Sequence, residues 1–105
     1  MQVIEKPWGH EEIWGDLRNK YLGKTLHINM KNRLSLQYHE KKEETFLILY
    51  GEVHMQLNGE ERVCLPGDVI NIEAGVRHAF SSPNGSVIEE ISSTHFKRLL
   101  LSFVS

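Results

Sequence analysis

The sequence predicts an all-β fold made of many short strands. Turn signals built on Gly, Pro and Asn recur at short intervals along the 105 residues, and runs rich in β-branched and aromatic residues lie between them. No window of the central region shows sustained helical periodicity. This pattern is typical of a sandwich or barrel. The length is enough for one core, so we expect residues 1–105 to form a single domain.

Each predicted strand ends at a turn signal. Asn58-Gly59 predicts a tight hairpin, and Pro83-Asn84-Gly85 predicts a second one between the last two strands. The predicted strands are Glu12–Trp14, Lys24–Met30, Leu34–His39, Thr45–Tyr50, Val53–Leu57, Glu61–Leu65, Val69–Ile72, Arg77–Phe80 and Val87–Ser92.

Composition excludes several classes of protein. Hydrophobic residues make up 40% and charged residues 25%, with a net charge of -2, as in an ordinary soluble domain without the basic stripe that nucleic-acid binding requires. No apolar run is long enough to span a bilayer, and the N-terminus lacks the apolar segment of a signal peptide. The single cysteine, Cys64, has no partner for an internal disulfide. We therefore predict a cytoplasmic protein without nucleic-acid or membrane partners.

The strand Leu34–His39 alternates between apolar and polar residues. Gln37 and His39 share one face, with Lys41 next in phase, and periodicity alone favours a solvated face. His39 is followed five residues later by Glu44, and a second segment opened by Gly67 leads to His78.

These two blocks resemble the paired motifs of the cupin superfamily. The first family motif supplies His-x-His, a Glu and a closing Gly, which His39, Glu44 and Gly51 match. The second supplies an opening Gly, a Pro-x-Gly turn and a later His, matched by Gly67, Gly75 and His78. The resemblance implies a single-domain cupin, an all-β double-stranded β-helix or jelly-roll barrel.

Within the superfamily the sequence resembles the cupin domain of mannose-6-phosphate isomerases, particularly the C-terminal domain of the bifunctional guanylyltransferase–isomerase type. In two places it departs from the pattern, because Lys41 replaces the second motif histidine and Glu73 replaces the motif proline. The segments that carry the resemblance are Lys6-Pro7-Trp8-Gly9, Arg33-Leu34-Ser35-Leu36-Gln37-Tyr38-His39, Glu44-Thr45-Phe46 and Ile88-Glu89-Glu90-Ile91-Ser92.

The resemblance implies one divalent metal ion, such as Zn²⁺, Mn²⁺ or Fe²⁺, held by imidazole and carboxylate groups. Lys41 has no lone pair with which to replace a histidine ligand. Gln37 is the natural substitute, since the zinc-dependent class of mannose-6-phosphate isomerases uses a Gln-x-His pair. The predicted metal ligands are Gln37, His39, Glu44 and His78.

The resemblance also implies an aldose–ketose isomerase that acts on a phosphorylated sugar. His54 and Glu43 are candidates for the base that moves the proton, and Lys41 is a candidate for polarising the sugar oxygens. The phosphate needs a cationic partner, for which Arg33, Lys41 and Arg77 are available.

Two other functions stay open. A cupin that binds a sugar or sugar nucleotide without turnover fits the loss of a motif histidine, whereas a metal-dependent oxygenase fits it poorly. Of the remaining histidines, His10 and His95 are expected at the surface, and alternation gives His27 and His54 even odds of facing the cavity. We also predict a homodimer, with the apolar stretch Leu99–Leu101 covering a barrel edge.

Overall fold

A computed structural model describes residues 1–17, 20–29 and 42–93, together with the backbone of residues 32–37. No helix in these ranges is long and apolar enough to cross a membrane. The described residues form the strands β1 (Gln2–Lys6), β2 (Gly9–Leu17), β3 (Tyr21–Ile28), β4 (Asn32–Gln37), β5 (Glu44–Tyr50), β6 (Val53–Leu57), β7 (Glu60–Cys64), β8 (Val69–Ile72), β9 (His78–Ser82) and β10 (Ser86–Ser93).

The strands are divided between two antiparallel sheets. The first sheet has the order β1-β2-β3-β10-β5-β8, and the second has the order β4-β9-β6-β7. The predicted all-β fold is thus confirmed. Strands adjacent in the chain often lie in different sheets, so the chain crosses repeatedly between the two sheets, which share one core.

The core lies between the inner faces of the two sheets. It is built from apolar side chains of both, because alternate residues of each strand point inward. Its buried members are Trp8, Leu26, Ile28, Phe46, Ile48, Ile70, Ile72 and Ile88 from the first sheet and its turn, and Val53, Met55, Cys64 and Phe80 from the second.

The two predicted hairpins had different outcomes. Asn58 and Gly59 both have positive φ, at 49° and 87°, and they close the β6–β7 hairpin as predicted. The second hairpin prediction is wrong in its pairing. The Pro83-Asn84-Gly85 turn follows β9, but β9 pairs with β4 and β6, whereas β10 pairs with β3 and β5. That turn therefore carries the chain from one sheet to the other.

The Pro7-Trp8 turn closes an N-terminal hairpin that the sequence did not predict. Lys6 pairs with Gly9 across it, and Trp8 is buried in the core. Gly9 has φ +148°, and a Cβ there would lie 1.8 Å from the backbone oxygen of His27. The backbone of β2 can approach β3 this closely only because residue 9 is glycine.

Strand β4 is less regular than its predicted alternation. Leu34 pairs with Phe80 and Gln37 with His78, and the register shifts between these two pairs. The described strand covers Asn32–Gln37, and His39, which was predicted to end it, lies outside the described residues.

Candidate metal centre

Glu44 and His78 meet inside the barrel from opposite sheets. Glu44 opens β5 and points inward in phase with Phe46 and Ile48, while His78 opens β9 in phase with Phe80. The Nε2 atom of His78 lies 3.0 Å from Oε1 of Glu44, and the two side chains are only 2% and 3% exposed. Two residues that are distant in the chain, one from each motif block, are therefore held as a buried pair.

The imidazole of His78 is oriented by a backbone carbonyl. Its Nδ1 lies 3.2 Å from the oxygen of Val76, to which an Nδ1–H donates. This bond directs Nε2 toward Glu44. A metal-binding histidine is commonly held in this way, with one ring nitrogen donating to a carbonyl and the other facing the ion.

Lys42 and Glu90 complete a charged cluster around this pair. The ammonium of Lys42 lies 3.5 Å from Oε2 of Glu44 and 3.8 Å from Oε2 of Glu90, and its side chain is only 9% exposed. Glu90 reaches the cluster from β10, in phase with the buried Ile88 and Ser92. The buried carboxylates are thus partly balanced by a buried cation.

The cluster shifts the pKa values of Glu44, His78 and Glu90. Burial opposes ionisation of Glu44, yet the hydrogen bond from His78 and the charge of Lys42 hold the pKa of Glu44 below its usual range. Burial also opposes charging of His78, but the bond to Glu44 raises the pKa of His78 overall. Burial and the neighbouring charge of Glu44 raise the pKa of Glu90 to about 7.

A second buried ion pair flanks the cluster on the same inner face. Lys24 of β3 lies 3.3 Å from Oε1 of Glu11 of β2, with both side chains nearly buried. Lys24 is the register partner of Glu90, and its charge opposes the rise in the Glu90 pKa. The barrel interior therefore contains a row of alternating charges rather than an entirely apolar core.

The donor set of the cluster suits a divalent transition metal ion. Glu44 and His78 offer one carboxylate and one imidazole nitrogen, which are ligand types that Zn²⁺, Mn²⁺ and Fe²⁺ accept together. The 3.0 Å separation of Nε2 and Oε1 is close to the spacing of two ligands on one ion. Of the predicted ligands, Glu44 and His78 are brought together, and their role as ligands stays a prediction.

The other predicted ligands fall on residues whose side chains the structure does not describe. The backbone of Gln37 is the register partner of His78, and the backbone of Arg33 is the partner of Ser81. His39 and Lys41 lie outside the described residues. Their predicted roles in metal and substrate binding remain predictions.

The remaining predicted site residues lie apart from the Glu44–His78 pair. His54 alternates with the buried Val53 and Met55, so it faces outward, where its Nε2 lies 2.5 Å from Oε2 of Glu52. Glu43 and Arg77 are exposed neighbours of Glu44 and His78 in the chain. Glu43 and Arg77 thus each precede a member of the pair in the chain, whereas the structure does not bring His54 into the site.

Two residues of the cluster, Lys42 and Glu90, were not singled out from the sequence. Each could have been found from alternation, since Lys42 is two residues before Glu44 and Glu90 is two residues from both Ile88 and Ser92. A charged residue in phase with a buried strand face is the signal in both cases. The motif pattern pointed to Lys41 instead, because Lys41 occupies the position of the second motif histidine.

A further group of potential metal ligands lies on the outside of the first sheet. His10, Glu12 and His27 each place a donor atom within 4.8 Å of the others. The chain thus contains a His/Glu group able to hold a metal ion in addition to the interior pair.

Comparison with known proteins identifies the family. The profile described as "Cupin domain" matches residues 28–88, which include both Glu44 and His78. The chain is a cupin. The cupin resemblance found in the sequence is confirmed, and the interior pair occupies the two motifs of a cupin barrel.

Individual relatives agree with this assignment. A mannose-1-phosphate guanylyltransferase of Salmonella montevideo is 25% identical over 89 residues, 84% of this chain but only 18% of that protein. The structure of KdgF from Halomonas sp. superposes on the cupin with a TM-score of 0.83 and 15% identity, covering 92% of this chain and 89% of that one. An RmlC-like cupin from Shewanella frigidimarina gives a TM-score of 0.82 and 16% identity, covering 89% and 83%. These two structures support the fold alone.

Proposed function

We propose that this cupin is a metal-dependent aldose–ketose isomerase acting on a phosphorylated sugar of the mannose 6-phosphate type. The observation that supports the proposal most is the buried pair of Glu44 Oε1 and His78 Nε2, 3.0 Å apart. The similarity to a mannose-1-phosphate guanylyltransferase supports the choice of a mannose phosphate. The chain spans about a fifth of that relative, so its guanylyltransferase activity is not transferred here.

Glu44 and His78 would hold the metal ion, with Gln37 and His39 as the further predicted ligands. When bound, the ion supplies a Lewis acid beside the carbonyl and hydroxyl oxygens of the sugar. His78 contributes a fixed ring orientation through its bond to the Val76 oxygen. Lys42 balances the charge of the carboxylates and offers a proton donor to a sugar oxygen.

Isomerisation moves a proton from C2 of the aldose to C1, while the O2 hydroxyl gives up its proton to O1. A group that takes and returns a proton near neutral pH suits this exchange. In the metal-free protein burial and the charge of Glu44 raise the pKa of Glu90 to about 7, and Glu90 shares the buried inner cluster with Glu44. We therefore prefer Glu90 as the proton carrier over His54, which faces outward with Glu52.

The phosphate of the sugar would lie near the rim of the barrel. Arg77 is exposed there and is adjacent to His78, so its guanidinium can contact a phosphate while the sugar carbons approach the interior. Arg33 and Lys41 remain the other candidates for this contact.

Turnover of mannose 6-phosphate to fructose 6-phosphate tests the proposal. The full chain is stripped of metal, reloaded separately with Zn²⁺, Mn²⁺ or Fe²⁺, and assayed beside Glu90→Gln and Glu89→Gln. We expect activity that requires metal, a loss of about 100-fold or more in Glu90→Gln, and little change in Glu89→Gln. Glu89 is the matched control because it lies next to Glu90 in the strand but points to the outer face. Absence of turnover in the fully loaded protein would overturn the proposal.

A non-catalytic sugar-binding cupin is the second candidate. Lys42 favours it, because its ammonium 3.5 Å from Oε2 of Glu44 competes with a metal ion for that carboxylate. In that case the chain binds sugar phosphate or sugar nucleotide equally well with and without metal. Titration calorimetry with both ligands on stripped and reloaded protein separates this function from the isomerase.

We also propose that the protein is cytoplasmic and forms a homodimer. Cys64 is free and buried, which is consistent with a reducing compartment. The outer face of the first sheet exposes apolar side chains that a second copy would cover, namely Leu47, Leu49, Val69 and Ile91. The Leu99–Leu101 stretch, which the sequence suggested as an edge cover, lies outside the described residues.

A further inference from the structure

Two imidazoles and a carboxylate lie together on the outer face of the first sheet. His10 and Glu12 belong to β2, and His27 is the register partner of His10 on β3. Their strand neighbours Glu11, Leu26 and Ile28 are buried on the inner face, so alternation directs these three side chains outward. The group is therefore separated from Glu44 and His78 by the thickness of the sheet.

The three side chains are already in contact. The rings of His10 and His27 stack with centroids 4.3 Å apart and an interplanar angle of 13°. The Nε2 atom of His27 lies 2.7 Å from Oε1 of Glu12. One donor atom from each residue lies within 4.8 Å of the other two.

Small side-chain rotations would place these donors on one ion. Ligand bonds of about 2.0–2.2 Å to a tetrahedral ion require donors roughly 3–3.5 Å apart. The His27–Glu12 pair is already closer than this at 2.7 Å, and the His10 donor, within 4.8 Å of both, must approach by at most roughly 1–2 Å. His27 and Glu12 have 35% and 31% of their side-chain area exposed, so an ion can reach them from solvent.

The His27–Glu12 ion pair alone does not explain why three potential ligands, His10, Glu12 and His27, lie together. A half-exposed His–Glu pair contributes little stability, and it involves only two of the three residues. A pair of histidines facing each other on adjacent strands with a diagonal carboxylate is instead a tridentate set of the kind that binds Zn²⁺, Ni²⁺ and Cu²⁺.

We propose that His10, Glu12 and His27 form a second metal site, which binds one divalent transition metal ion on the outside of the barrel. The site selects borderline ions that accept imidazole over Mg²⁺ and Ca²⁺, which prefer oxygen ligands. Three protein ligands leave at least one position of a tetrahedral ion for water or an external ligand. The site is independent of the isomerase proposal, since it shares no residue with the interior pair.

The test is calorimetric titration of the untagged, metal-stripped full chain with Zn²⁺. All variants are made in a His78→Gln background, which isolates the outer site from the interior pair. We expect His27→Gln and His10→Gln each to weaken Zn²⁺ binding at least about tenfold, since even outer-shell partners of a metal are worth roughly 10- to 100-fold. Excess Mg²⁺ should not compete.

His54→Gln is the matched control, because His54 also contacts a surface carboxylate, that of Glu52, but has no second imidazole beside it in the described structure. It should bind Zn²⁺ like its parent. A thermal melt of each stripped variant identifies any loss of folding. Glu12→Gln, which keeps both rings, provides a third ligand deletion. Equal Zn²⁺ affinity in all four variants, or equal weakening in His54→Gln and His27→Gln, would overturn the proposal. If the His78→Gln parent still bound Zn²⁺ at the interior site, that result would count against the proposed isomerase site. The comparison of the outer-site variants with this parent would still hold.

Discussion

At the scale of single residues, the cluster inside the barrel explains why charged side chains are buried in so small a protein. Glu44, Glu90, Lys42 and His78 are each costly to bury alone, and together they neutralise one another. The motif positions Glu44 and His78 were predicted from the spacing of the family motifs. Lys42 and Glu90 were not, because each looks like an ordinary surface residue until its strand face is known.

The pH dependence of stability tests the environment of Glu90. The pKa of Glu90 is raised from 4.5 to about 7 on folding, so the folded protein holds a proton that the unfolded chain loses. Stability from this group is complete below about pH 4.5 and is lost as the pH rises to about 7. The raised pKa of His78 acts in the same direction.

We therefore expect the unfolding free energy of the metal-stripped protein to fall on the order of 3 kcal/mol between about pH 5 and pH 7.5. Urea unfolding at a series of pH values measures it. Glu90→Gln should reduce the fall to the smaller part contributed by His78, and Glu89→Gln should follow the wild type. A wild-type curve that is level or rises through this range would show that Glu90 is not buried as described.

At the scale of elements, local signals predicted most strands to within a few residues. Val53–Leu57 and Val69–Ile72 match β6 and β8 fully, and the Asn58-Gly59 turn is where it was expected. β1 was missed because the short segment before Pro7 has no regular alternation of its own and gains its place only by pairing with β2. The register shift in β4 was equally hidden, since it depends on the partner strand β9.

Gly9 provides a test of the N-terminal hairpin. Gly9→Ala would place a Cβ 1.8 Å from the His27 backbone oxygen, so β2 and β3 must separate and the buried Trp8 must shift. We expect a loss of at least about 2 kcal/mol in unfolding free energy. Chemical denaturation followed by tryptophan fluorescence measures it.

Gly59→Ala is the control for the effect of positive φ. Gly59 also has a positive φ, of +87°, but an added Cβ there meets no atom within 4 Å. Its cost should be only about 1 kcal/mol, from backbone strain alone. Equal losses in the two variants would mean that the close approach of β2 to β3 is not what requires glycine at position 9.

At the scale of the whole molecule, the fold class and the cupin family were both predicted correctly. The distribution of strands between two sheets was not, and the β9–β10 connection shows why. A turn signal reports only that the chain reverses, whereas the choice between a hairpin and a crossover depends on strands that are distant in sequence. The candidate metal centre also depends on strands that are distant in sequence, since Glu44 and His78 approach each other only when the two sheets pack together.

Assembly can be tested on the outer face of the first sheet. Leu47 and Val69 are exposed cross-strand partners on the apolar outer face. A charged side chain at position 47 should prevent a second copy from covering this face. We expect the wild-type chain to have the mass of a dimer in light scattering after gel filtration, and Leu47→Lys to have the mass of a monomer. Val63→Lys, at a more exposed position on the second sheet, should remain dimeric. A monomeric wild type would remove the dimer from the account.

The most direct test of the central claim is the metal content of the wild type compared with Glu44→Gln and His78→Gln. The full, untagged chain is purified without added metal, and bound metal is determined by elemental analysis, with circular dichroism to confirm that each variant is folded. The account predicts that each variant loses about one ion per chain relative to the wild type, because each removes a ligand of the interior ion. Folded variants that retain the metal content of the wild type would contradict it.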